Sequence, residues 1–195
     1  MTEHQFGAAS FFEEWLPRRF AELKAADAQM ATTECSLVVQ VGGSAWTLTL
    51  GGGELSVTGW VAAELDRAGL PSSATFRLHA TQASFDLLVA GALEHGAGTN
   101  PAIKVLRVDA ETARLAGAVP ACLRLRVVDG DLEHELIFGP GNQPKTHVGC
   151  SVECELADLK AVQRGECDPM ELFMSGRLRL EGDLQVAFAL GGILL

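Results

Sequence analysis

His147, Cys150, Cys154 and Cys167 lie close together in the chain, and one imidazole with three thiolates is a donor set that holds zinc. The spacing decides against it. If 148–155 is a strand, Cys150 and Cys154 are four residues apart at about 3.3 Å each, so their Cα atoms stand roughly 13 Å apart, too far for both to chelate one tetrahedral ion. Buried, unligated thiols fit better, and neither a metal nor another cofactor is expected. The five cysteines, odd in number and irregularly spaced, suit reduced thiols rather than a disulfide framework.

Nucleophilic catalysis finds no motif. The chain has no G-x-S-x-G elbow, and GGSAWTLTLGGG lacks the Lys and Ser/Thr with which a phosphate loop holds nucleotide and magnesium. His79 shares a strand face with Arg77, as a solvent-facing histidine would. His134 shares one with Leu132 and Leu136, as a half-buried one would. Glu133 and Glu135, like Glu153 and Glu155, fall on alternate positions, the pattern of a solvated strand face. No catalytic residue is assigned, and an enzyme is not expected.

Fifteen basic against twenty-five acidic residues give a net charge of −10 with no dense basic run. Nucleic acid is therefore an improbable partner, because its backbone is bound chiefly by Lys and Arg. At 195 residues and 48% hydrophobic content, the chain can bury a substantial core. The opening MTEHQFGAAS lacks the features of a signal peptide, and no run reaches the ~18–20 apolar residues that span a bilayer. A cytoplasmic protein without stable membrane insertion is expected.

Stepping outward from these residues, S-F-F-E at 10–13 predicts a helix start through a capping box between Ser10 and Glu13. Phe12, Leu16, Phe20, Leu23, Ala26 and Met30 then recur at helical spacing, with Pro17 as a kink or a second start. CSLVVQV (35–41), AWTLTL (45–50) and ELSVTGW (54–60), separated by glycines, predict an antiparallel meander. ACLRLRVV (121–128), Asp129-Gly130 and DLEHELIF (131–138) predict a hairpin whose Asp-Gly turn is of type I′.

The two halves also lie over one another. ATFRLHATQASFDLLVAG (74–91) overlays VGCSVECELADLKAVQRG (148–165), VLRVDAE (105–111) overlays RLRLEGD (177–183), and CSLVVQVGGSAWTLTL (35–50) overlays CLRLRVVDGDLEHELI (122–137). Three blocks in one order predict a diverged duplication, with repeats at 8–117 and 118–195 that either stand apart or pack as one compact unit.

A strand, then A-D-L-K-A-V-Q-R-G, then D-P-M-E-L-F-M-S-G-R-L-R-L-E-G-D-L-Q-V-A-F-A-L resembles the closing half of the sterol carrier protein 2 family, best over 148–194. The first half is less similar: Ala110 stands where the family prefers glycine, and Asn100-Pro101 stands where Asp168-Pro169 does later. The resemblance implies an α+β fold with a mostly antiparallel five-stranded sheet covered by helices. It also implies an apolar tunnel that takes sterols, fatty acids or fatty acyl-CoA without covalent chemistry, with the last helix as part of its wall.

The closing twelve residues, Leu184 to Leu195, carry no charge and only one polar side chain, Gln185. Such a helix must be covered on more than one side, by core or by ligand. Candidate ligand-binding residues are Phe173, Met174, Leu178, Leu180, Leu184, Val186, Ala187, Phe188, Leu190, Ile193 and Leu194, with Gly191-Gly192 as a place to hinge or unwind. The expected partner is a hydrophobic small-molecule lipid, bound or transferred without catalysis. The alternative is an accessory or scaffold subunit of a lipid or quinone enzyme, and a protein partner or homo-oligomer stays open.

Overall fold

A computed structural model describes residues 7–26, 34–68, 75–90 and 101–194. Met30, Asn100 and Leu195 lie outside them. The strands are β1 (Cys35–Val41), β2 (Ser44–Gly51), β3 (Glu54–Val61), β4 (Phe76–Ala80), β5 (Cys122–Asp129), β6 (Leu132–Pro140), β7 (Val148–Glu155) and β8 (Leu178–Gly182). The helices are α1 (Ala8–Ser10), α2 (Leu16–Ala26), α3 (Ala62–Ala68), α4 (Gln82–Phe85), α5 (Pro101–Leu106), α6 (Ala110–Gly117), α7 (Leu156–Gln163), α8 (Pro169–Met174) and α9 (Leu184–Leu194).

The expectation of an α+β fold holds, but the five-stranded sheet does not. The strands form one eight-stranded sheet in the order β3-β2-β1-β4-β6-β5-β7-β8. Pairing is antiparallel except between β1 and β4 and between β5 and β7. Each half thus builds a hairpin and lays a later strand parallel to the hairpin's first strand. The halves join because β4 pairs antiparallel with β6, from Phe76 opposite Pro140 to Ala80 opposite Leu136. An open strand edge is a row of unpaired amides and carbonyls, and here each half closes the edge of the other.

Two of the three overlaid blocks match in element type: 35–50 and 122–137 both form hairpins, and 74–91 and 148–165 both contain a strand followed by helix. The third does not. Residues 105–111 fall in α5, α6 and the link between them, whereas 178–182 are β8. The hairpin turn is also displaced by one residue, because Asp129 pairs with Leu132 and the turn is Gly130-Asp131. Only its first residue has positive φ (61°), as in a type II′ rather than a type I′ turn.

The first helix begins at Ala8, so Ser10 lies inside it and its side chain caps nothing. Glu13 instead accepts a hydrogen bond from Trp46 Nε1 at 2.8 Å. Residues 11–15 form a wide π turn in which the Leu16 amide reaches Phe11 O. That turn sits directly before Pro17, which has no amide to donate.

The inner face of the sheet and its helices enclose one cluster running from Ala8 to Leu194. Its first-half centre is aromatic: Phe12 lies 5.0 Å from Trp46 and 5.4 Å from Phe85, and Phe11 4.9 Å from Phe12. On the outer face, Val38, Ala45 and Leu65 make a small cluster with α3. That face also carries ion pairs, with Arg126 bridging Glu133 at 2.8 Å and Glu153 at 3.1 Å, and Arg124 bridging Glu135 at 3.0 Å.

Candidate functional site: an apolar pocket beneath the last helix

The site is assembled at the β8 end of the sheet. Asp168 caps α8 by accepting the Met170 amide at 2.7 Å, and Pro169 occupies the first turn, where a missing amide costs nothing. After α8 the chain turns back at Gly176 (φ 73°) into β8. Arg177, just before β8, is ion-paired with Asp158 on α7, whose side chain is 5% exposed. This pair ties the start of β8 to the helix beside it.

Gly182 ends β8 at φ 111°, and a Cβ there would stand 2.3 Å from the Gly149 carbonyl oxygen. Only glycine permits that approach. It lets the Asp183 amide bond Gly149 O at 2.9 Å, while Asp183 Oδ1 accepts the Gln185 amide at 2.8 Å and starts α9. The Gly-Asp pair therefore sets the angle at which the final helix leaves the sheet.

Between α8, β7, β8 and α9 lies a pocket of about 290 Å³. Val152, Leu178 and Leu180 form its sheet wall, Pro169, Met170 and Phe173 its α8 wall, and Ala187, Phe188, Gly191 and Gly192 its α9 wall. Asp168 supplies the one ionisable lining side chain. The rim is exposed and apolar, with Phe188 59% and Met170 48% exposed.

The sequence candidates divide into three groups. Phe173, Leu178, Leu180, Ala187 and Phe188 line the pocket. Val186, Leu190, Ile193 and Leu194 are buried in the common core. Met174 (79% exposed) and Leu184 (47%) face solvent beside the pocket. Gly191 and Gly192 neither hinge nor unwind the chain, because α9 continues through them to Leu194. They lie four residues after Ala187 and Phe188, on the same stripe of the helix. A Cβ at either would meet nothing within 4 Å, so their missing side chains leave room. Val152, Asp168, Pro169 and Met170 were missed because only packing brings them to the cavity.

The thiols around this region are held protonated. Burial pushes Cys154 up to about 12, with Asp158, Glu155 and Glu153 adding to the rise, and burial also raises Cys150 and Cys167. A nucleophilic cysteine needs the opposite shift. Among the described residues no three His, Cys, Asp or Glu side chains form a group able to hold a metal ion. None of the described helices is long and apolar enough to cross a membrane.

Residues 102–195 match the family model of the SCP-2 sterol transfer family. The match covers the second half of the chain and stops short of the first. The matched region contains every element that walls the pocket. Among solved structures, the apo form of sterol carrier protein 2 from Yarrowia lipolytica is 19% identical, with 58% of this chain and 88% of that one covered and a TM-score of 0.35. Sterol carrier protein 2 like 2 from Aedes aegypti is 16% identical over 51% of this chain and 93% of that one, with a TM-score of 0.32. A comparison with curated proteins finds no match.

Proposed function

We propose that this chain, whose residues 102–195 match the SCP-2 sterol transfer family, binds or transfers a lipid without covalent chemistry, taking an acyl chain or the edge of a sterol-like ring system into the pocket beneath α9. The observation that carries this reading is the pocket itself: about 290 Å³, walled by apolar side chains and two helix glycines. At roughly 30 Å³ per heavy atom, the share a water takes in the liquid, it holds on the order of ten atoms. About ten methylenes at ~0.8 kcal/mol each reach the ~8 kcal/mol of a micromolar complex.

The test is mass spectrometry of lipid retained by purified protein, together with displacement of a neutral environment-sensitive dye by dodecanol. Gly191→Phe, which fills the pocket, is expected to abolish both signals. A protein that retains no lipid and binds no dye defeats the proposal.

An accessory-subunit role draws on a different observation, the exposed side chains Met170 and Met174 on α8 and Leu184 and Phe188 on α9. Large apolar groups gathered at one edge of a surface suit a protein partner. Stable co-purification with an enzyme that survives Gly191→Phe but is lost in Phe188→Ser with Met174→Ser would favour it.

A further inference from the structure

We infer that the pocket discriminates by the sign of headgroup charge, accepting neutral and cationic amphiphiles and disfavouring anionic ones such as fatty acids and acyl-CoA. This rests on the lipid-binding reading and adds to it the class of ligand. The ground is the distribution of charge around the four elements that form the cavity.

α9 contributes no charged side chain, and α8 contributes only Glu171. On β8 the pocket side carries Leu178 and Leu180, while Arg179 alternates to the opposite face, 79% exposed and 3.7 Å from Glu153. On β7 the pocket side is Val152, flanked by Cys150 and Cys154 in the core. Arg177, which immediately precedes β8, is engaged by Asp158. Asp168 is the lining carboxylate, and Asp183 stands at the start of α9.

An acyl chain seated in the apolar space puts its headgroup at the mouth. A carboxylate or phosphate arriving there meets Asp168 and finds no guanidinium or ammonium among the lining residues to replace lost water. The same site attracts an ammonium group, and the net charge of −10 adds a field of the same sign.

The experiment compares dodecanoate, dodecanol and dodecyltrimethylammonium below their micellar concentrations, at neutral pH and low salt, by displacement of a neutral dye from the full chain. Dodecyltrimethylammonium and dodecanoate share a chain and each carries one charge, so their ratio isolates its sign. The cation is expected to bind at least roughly tenfold tighter, about 1.4 kcal/mol. Asp168→Asn keeps the α8 cap, since Asn caps as well as Asp, and should reduce that ratio by about threefold. A ratio near one, or dodecanoate binding tighter, overturns the inference while leaving lipid binding intact. Equal ratios in wild type and Asp168→Asn overturn the role of Asp168. If none of the three probes displaces dye, the lipid-binding reading itself fails.

Discussion

The two halves of the sheet begin alike and finish differently. Each forms a hairpin, returns a strand parallel to its first strand, and follows that strand with a helix: β1, β2, β4 and α4 in one, β5, β6, β7 and α7 in the other. In the first half, Phe11, Phe12, Trp46 and Phe85 fill the space over the sheet. In the second, β8 and α9 close the structure and enclose a pocket. The strand beyond β4 is β6, borrowed from the second half, whereas the strand beyond β7 is its own β8. Among the described residues the half whose closing strand comes from elsewhere carries no α9-like helix directly after that strand, and aromatic rings cover its sheet instead. The pocket thus follows from topology as much as from hydrophobicity.

The sharpest break in this comparison should come from the aromatic half. Phe12→Ala removes a fully buried ring and should cost about 3–5 kcal/mol, read by urea denaturation, whereas Phe188→Ala at the exposed pocket rim should cost under ~0.5 kcal/mol yet weaken dye binding. Gly182→Ala comes next. Its Cβ would collide with the Gly149 carbonyl at a φ of 111°, so a loss on the order of 3 kcal/mol is expected, with α9 amides becoming the least protected in hydrogen exchange. Arg177→Met leaves Asp158 buried without its partner and should cost roughly 2 kcal/mol, less than a fully enclosed pair because the arginine is largely exposed.

Filling the pocket sharpens the contrast from the other side. Gly191→Leu enters open space and removes a helix-interior glycine, so a gain of roughly 0.5–1 kcal/mol is expected, visible as a raised Tm together with lost dye binding. A pH dependence common to both halves is silent at neutral pH and appears only in alkali. Burial raises Cys35 to about 11 and Cys154 to about 12. Each thiol binds its proton more tightly folded than unfolded, so the stability this supplies is full below the unfolded value near 9 and is lost as pH rises toward 11 to 12. Urea midpoints should decline across that window, and less so in Cys154→Ala.

Alternation and glycine placement made most strands legible: 35–41, 45–50 and 54–60 are where the sequence predicts them, and 121–128 is displaced by one residue. The same local signals misplaced Ser10, because Glu13 is claimed by Trp46, thirty-three residues away in the chain. They also overlaid 105–111 on 177–183, since V-L-R-V and R-L-R-L share an alternation that only tertiary neighbours resolve into helix or strand. At the pocket, Phe173, Leu178, Leu180, Ala187 and Phe188 were accessible as an apolar convergence. Which side of α9 faces cavity and which faces core was not, because the helix is apolar nearly all round.

The sequence by itself determined the α+β class, the hairpins, the resemblance of 148–194 to sterol carrier proteins, and the need to cover a chargeless final helix. These follow from periodicity, turn chemistry and composition, which act between near neighbours. The tertiary structure decided that the halves share one sheet through β4 and β6, that one of them is filled by aromatic rings, and that Gly191 and Gly192 leave space rather than break a helix. Those outcomes depend on which strand edge is free and which side chains meet across the fold, and contacts between distant residues are not written in local pattern.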